Sequence, residues 1–465
     1  MKTSFVSFAA GGLLMALGAV APSADAQTAD GHHGGKALPP PAENTDFLNP
    51  GPQVVALGRM LFFDKILSGN RNISCATCHS PVIATTDGLS INIGAGGRGL
   101  GILRDAGTLP LDPFDPRSRG SRNMQQLFNL GHKSFTKLFW DGRVQVDPTV
   151  PSGFDTPASA DLPIGFSSAL EAISLFAETD MQEMTGETGT NELANANAAE
   201  GRTGVWKGLL ARLRAIPEYI DLFTAAFPEV ARDPSRMTIL QVGKAIGGFQ
   251  AVAFRSDNSP FDRYLRGDRG AMSPRQKEGM RLFYGKAKCA TCHSGTFQTD
   301  NDFYDIGIPQ IGPGFNGAGF AGREDFGRES TTGDPRDRYR FRVPSLRNVA
   351  LTGPWGHDGF YNSLKGIIQH HLDPETALFN ADPSQRVLPS RPDLDELDLT
   401  AFNESTVTWA IASRIEINPQ ILSDAEVDQV IGFLIALTDP SAGDLRKAIP
   451  ARVPSNLPMA EIRLP

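Results

Sequence analysis

The sequence predicts a mainly helical chain built as two similar units with long irregular connections. Three observations predict it. The pattern Cys-x-x-Cys-His occurs twice, in "SCATCHSP" (74–81) and "KCATCHSG" (288–295). A matching approach precedes each copy, "LGRMLFFDK" (57–65) and "EGMRLFYGK" (278–286), in which Gly, a gap of two, Leu-Phe-aromatic and Lys align. An amphipathic stretch then closes each unit, "MTILQVGKAIGGFQAVAF" (237–254) and "SDAEVDQVIGFLIALTDP" (423–440).

Taken in order, Lys2 precedes an apolar run from Phe8 to Val20 and the small-x-small pattern "ADA" at 24–26. Residues 1–26 therefore read as a signal peptide, and the chain as exported to the periplasm. That run is too short to span a bilayer and no later stretch reaches spanning length, so no membrane span is expected. Residues 27–43, rich in Gly and Pro, form a flexible leader, in which His32 and His33 receive no role. The first unit covers 44–268 and the second 269–450, with 451–465 left as a tail. In the second unit Ser273 caps, Pro274 takes the first helical position, Gln276 completes a capping box and Gly285 ends the helix. Ser423 and Glu426 repeat the box, Val427, Val430, Ile431 and Leu434 share one face, and Pro440 stops that helix. Segments 145–165 and 308–336, rich in Gly, Pro and Asp, read as loops.

Four readings compete for the paired motif: zinc, a redox dithiol, disulfides, or covalently attached haem. The net charge of -8 argues against a nucleic-acid partner. Exported chains commonly use cysteine in disulfides, yet Cys75, Cys78, Cys289 and Cys292, all the cysteines present, lie in the two motifs. A bridge within one such motif closes too small a loop to constrain much. Neither a shared zinc site nor a dithiol needs a histidine after each pair. Covalent haem uses all three residues: the cysteines form thioethers to the two vinyl groups, and the histidine lies under the iron.

With "LFWDGRV" (138–144), "EM" (183–184) and "VPSLRNVALTGPWGHDG" (343–359), these segments resemble the bacterial dihaem cytochrome c peroxidases and their MauG-type relatives, from about Val55 to Pro440. The resemblance implies two cytochrome c-like helical domains, each with one covalently bound haem. The N-terminal haem would be peroxidatic, and the C-terminal one would transfer electrons to it. His79 and His293 would be the proximal iron ligands. Trp140 would conduct electrons between the haems, although packing alone also explains a large aromatic. Glu183 matches the distal carboxylate, which the chemistry needs because breaking the O–O bond of peroxide moves a proton from the inner to the outer oxygen. A solvated acid in "AETDMQEM" is the plain alternative. Asn123, Thr352 and Pro354 match positions that hold a calcium ion between the domains, with the oxygen ligands that ion favours; a turn explains Thr-Gly-Pro equally well. The implied function is reduction of hydrogen peroxide with electrons from a small donor protein such as a cytochrome c, and a homodimer is compatible with the resemblance. MauG-like oxidation of a protein or organic substrate is the alternative enzyme reading. A dihaem cytochrome that only transfers electrons is the alternative outside catalysis.

Two departures from the family pattern matter. No methionine lies between Met280 and Met459, so the sixth ligand usual for the peroxidases' electron-transfer haem is absent. In the family the ligand, methionine or MauG's tyrosine, follows the histidine of "HDG" by a fixed spacing that leads from His357 to His371. Helix periodicity points the same way: Leu364, Ile367, Ile368 and His371 follow i, i+3, i+4, i+7, with His370 turned off that face by roughly 100°. A hydrogen-bonded core histidine is the alternative, and His357 the next candidate ligand. A His/His iron has a lower potential than a His/Met one. Secondly, residues 80–131 contain no histidine to cap the first iron. Met124 and His132 are the nearest substitutes, and His132, just ahead of "FWDGR", reads as structural. The first iron is expected to be open at rest.

Overall fold

Each unit is organised by two helices that cross at a glycine. In the computed structural model, which describes residues 1, 36–109, 114–316 and 324–459, Pro52–Phe63 crosses Ile239–Ala253 in the first unit. Pro274–Tyr284 crosses Asp424–Ala436 in the second. A Cβ on Gly58 would stand 1.8 Å from Ala245 O, and one on Gly279 would stand 1.8 Å from Gln429 O. Only a residue without Cβ allows backbones this close. One turn further, Phe62 packs against Phe249 with ring centres 5.2 Å apart, and Phe283 against Phe433 at 5.1 Å. The internal repeat in the sequence is thus one helix crossing made twice. Capping boxes at Thr238/Gln241, Ser273/Gln276 and Ser423/Glu426 set three of these four helix starts, satisfying amide groups that a helix leaves orphaned.

The first unit adds Glu192–Arg214, bent at Gly201, and Pro217–Ala226, which close its core around Leu57, Leu61, Trp206 and Phe223. The second adds Leu364–Leu372, packed on Asp424–Ala436. The stretch expected to be loop at 145–165 carries short strands instead. Lys137–Leu138, Val144–Val146 and Phe154–Asp155 pair antiparallel, and Phe303–Tyr304 pairs with Phe341–Arg342. Among the described residues strands stay this short, so the chain is mainly helical.

The chain ends cross between the units. Lys36, in the segment expected to be a flexible leader, donates its amide to Tyr284 O (3.0 Å) and its Nζ to Thr291 O (3.1 Å) of the second unit. Conversely, the expected tail returns to the first unit, where Val453 and Met459 enter the core. There Arg59 donates to the carbonyls of Ala448 and Ile449 (2.8 Å each), and Ser455 Oγ to Asp64 (2.5 Å). Buried Arg122 ties the units together, pairing with Asp141 (2.7 Å) and Asp325 (2.7 Å). Residues 2–26 of the expected signal peptide, with His32 and His33, lie outside the described residues. Among those described, no helix is long and apolar enough to cross a membrane.

Candidate functional site

The first motif forms a single helical turn, Cys75–Cys78, started by a reciprocal cap between Ser74 and Thr77. His79 ends it, and its Nδ1–H donates to Thr85 O at 3.1 Å. In the second unit Cys289–Thr291 is a tighter turn, and His293 Nδ1–H donates to Gln298 O at 3.1 Å. In both cases the hydrogen bond fixes the tautomer, so the lone pair on Nε2 points away from the loop. Burial lowers both histidines to a pKa of about 4, which keeps them neutral as iron ligands must be. All four cysteines are free. Among the described residues no group of three or more His, Cys, Asp or Glu side chains is placed to hold a metal ion.

His293 opens on a cavity of about 440 Å³, within the size range of small-molecule sites. Its far wall is the helix Leu364–Leu372, which presents Leu364, Ile367, Ile368 and His371 to the cavity as the periodicity implied. His371 Nδ1–H donates to Ile367 O (2.8 Å), again leaving Nε2 free. The rings of His293 and His371 face each other with centres 6.3 Å apart. Two imidazoles bound on opposite sides of one metal, each about 2 Å from it, would have ring centres roughly 6 Å apart. Cys289, Cys292, His293 and His371 therefore fit a c-type haem held from both sides.

His370 is different: it turns off the cavity face, as the periodicity implied, and is buried elsewhere. Tyr361 Oη–H donates to its Nδ1 (2.7 Å), and its Nε2–H donates to Ile306 O (2.7 Å), so both nitrogens are used. His357 stacks on Phe341 with ring centres 3.6 Å apart, and His132 sits edge-on between Phe47 and Phe297. Met124 lines the second cavity. Every described histidine thus has a place, and among the described residues none makes a ring contact with His79.

Carboxyl groups gather near the first motif instead. Glu183 sits on a π-helical turn, Met181–Thr185, a rare form often found at functional sites. Asp180 starts the turn by accepting from the amides of Gln182 (2.8 Å) and Glu183 (2.9 Å). Gly69 N–H donates to Met184 O and Ala95 N–H to Gln182 O, docking the turn on the loops flanking the first motif. Burial, with Asp180 adding and Arg143 opposing, pushes the Glu183 carboxyl up to about 7. Both Cys75 and Cys78 feel its charge, so Glu183 shares their space. Two further acids there were not singled out from sequence: Glu178, raised by burial to about 8, and Asp87, raised by burial to about 7. No local pattern announces them, because only tertiary burial distinguishes them from surface acids.

The "FWDGR" segment touches both sites. Trp140 lines the second cavity and donates Nε1–H to Asn123 O (2.9 Å). Three residues on, Arg143 bonds Asp141 (3.0 Å) and acts on Glu183. Asn123, Thr352 and Pro354 line the same cavity as Trp140. The Asn123 amide nitrogen donates to Leu89 O (2.9 Å), leaving its oxygen as a ligand candidate, and none of the three is a carboxylate.

These features define a helical protein of two units, each with a motif suited to covalent haem. The family model for di-haem cytochrome c peroxidase matches residues 52–270. The methylamine utilization protein MauG of Methylorubrum extorquens is 31% identical over 321 residues, 69% of each chain. The cytochrome-c peroxidase IdrP1 of Pseudomonas sp. (strain SCT) is 29% identical over 387 residues, 77% of this chain and 82% of that one. Among solved structures, a MauG-like protein associated with microbial copper homeostasis superposes with a TM-score of 0.54 at 25% identity, covering 87% of this chain and 94% of the other. The chain belongs to the di-haem cytochrome c peroxidase and MauG family of oxidoreductases, and membership implies two c-type haems.

Proposed function

We propose that this enzyme reduces hydrogen peroxide at the first unit, with electrons relayed through the second from a small donor protein such as a cytochrome c. The asymmetry between the two sites carries the reading: the second cavity has an imidazole on each side, whereas the space near His79 has carboxyls and no second imidazole among the described residues. Cys75, Cys78 and His79 would hold a c-type haem, which would supply the iron chemistry that cleaves the O–O bond. Glu183 takes the proton from the inner oxygen of peroxide and returns it to the outer one. Its raised pKa suits that duty, since an acid–base group works best near the operating pH. Trp140, held by its bond to Asn123, serves as the electron path between the units. His293 and His371 would hold the second haem, and two imidazoles would lower its potential relative to a His/Met pair, which would call for a donor of correspondingly low potential. Calcium is assigned to Asn123, Thr352 and Pro354, and the working compartment is the periplasm.

A MauG-like oxidation of a protein or organic substrate is the second reading, favoured by the absence, among the described residues, of a histidine in ring contact with His79. It requires the fully ferric enzyme to react with peroxide before any electron is added. Stopped-flow mixing tests it, because reaction only after half-reduction would reveal a capping ligand and remove this reading. For the main proposal, Glu183→Gln should keep both haem spectra and lose roughly 10²–10⁴-fold in peroxide-driven turnover. Near-normal turnover would leave Glu183 with a structural role only.

A further inference from the structure

Glu178 is the buried acid that the proposed chemistry does not use. It lies on the one-turn 3-10 helix Ala177–Thr179, directly before the turn that carries Glu183. It is 1% exposed, and neither carboxyl oxygen has a hydrogen bond to another described residue; its own backbone amide is the one group that favours the charged form. A buried, unpartnered carboxylate is costly, and the group avoids that cost by remaining protonated.

Its surroundings say where it faces. The charges that act on it and on which it acts belong to Glu183, from the following turn, and to Cys75, from the first motif. Asp180 and Arg143 face Glu183, and Arg202, on the covering helix Glu192–Arg214, faces Asp180. None of these cations is a partner of Glu178. The groups left for this carboxyl are its own backbone amide, water and Glu183.

We propose that Glu178 is a proton reservoir for Glu183 in the first haem pocket. The inference rests on the assignment of Glu183 as the acid–base group. Peroxide, two electrons from the one-electron donor and two protons give two waters. The internal proton shift through Glu183 releases the first water without net proton uptake. The two protons that enter with the electrons must therefore cross a buried site to reach the second oxygen. Glu178 gives a proton through water to the Glu183 carboxylate, Glu183 passes it to oxygen, and Glu178 is reprotonated from solvent. The charge of Glu183 adds to burial in raising Glu178, so the Glu178 carboxyl holds its proton when Glu183 has given its own away.

Infrared spectroscopy of the resting dihaem protein tests this, using hydrogen–deuterium exchange to mark protonated carboxyls. In the difference between wild type and Glu178→Gln, a neutral carboxylic-acid carbonyl band should be present at about pH 6 and titrate away near pH 8, above the range of Glu183 and Asp87. The same difference band should be retained in a Glu183→Gln background. Glu178→Gln should keep both haems and their spectra, lose about tenfold or more in turnover, below the full loss expected of a direct acid–base group, and lose the basic limb of the pH–rate profile. Glu178→Asp, which keeps the acid, should restore part of the rate and the limb. Absence of the band at pH 6, or an unchanged pH profile in Glu178→Gln, would overturn the proposal. If Glu183→Gln alone turned over normally while the band persisted, the fault would lie with the role of Glu183.

Discussion

Adjacent histidines on one helix have opposite duties, because a step of about 100° separates their side chains. His371 keeps one nitrogen for the cavity, whereas His370 spends both on Tyr361 and Ile306 O. Replacing His371 with Gly should convert the second haem from low-spin to high-spin in low-temperature electron paramagnetic resonance, with the first haem's signal intact. Replacing His370 with Gly should preserve the spin state but lower stability by about 1–3 kcal/mol, since it strands a buried hydroxyl and a carbonyl. Swapped outcomes would mean that the helix is phased the other way. The same scale holds Glu183 and Glu178, where burial rather than sequence context raises the carboxyls.

Helix crossings at Gly58 and Gly279 show how one element sets the geometry of a site. Each approach helix runs toward its motif, and the depth of the crossing determines how far the following cysteines sit from the closing helix. An alanine at either position would place Cβ 1.8 Å from a carbonyl oxygen, and both partners are helix backbone that cannot turn aside. Gly58→Ala and Gly279→Ala should each cost at least the roughly 1–3 kcal/mol typical of overpacking. Each loss should appear first in the haem of its own unit, measured as haem content and melting of the visible spectrum. Gly443→Ala, where an added Cβ would meet nothing within 4 Å, is the control and should stay within about 0.5 kcal/mol. Comparable stability of all three variants would mean that the crossings are looser than described.

At the scale of the whole molecule, the exchanged ends make the two units mutually dependent. The segment 444–459 covers first-unit core around Val453 and Met459, and supplies the carbonyls that hold Arg59 and the hydroxyl that bonds Asp64. Truncating the chain after Gly443 should expose this apolar surface and take from buried Asp64 its bonds to Ser455, leaving those to Ile66 and Tyr219. Calorimetry is then expected to show the first unit melting separately and earlier, with the second haem's spectrum persisting through that transition. A single transition at the original Tm would show that the returning segment contributes little. Arg122, paired with Asp141 and Asp325 across the units, is the other coupling, and it lies in the segment just before residues lining the second cavity.

What the sequence by itself determined are the features whose physics is local. Two cysteines and a histidine at fixed spacing point to covalent haem attachment, capping residues mark helix starts within three positions, and the i, i+3, i+4, i+7 pattern puts His371 with Leu364 and Ile368. Family membership followed from these segments taken together. The tertiary structure alone decided what depends on chain from far away. The reason for Gly58 is a carbonyl at Ala245, and the partner of His370 is a carbonyl at Ile306. The leader and tail look like free ends in composition, yet each packs on the unit remote from it in sequence. Glu178 and Glu183 sit in an acidic stretch that any solvated surface could carry. Only the packing of Glu192–Arg214 on the turns that carry them takes Glu178 out of water and half-buries Glu183, and losing water is what turns an ordinary acid into one that holds its proton near neutral pH.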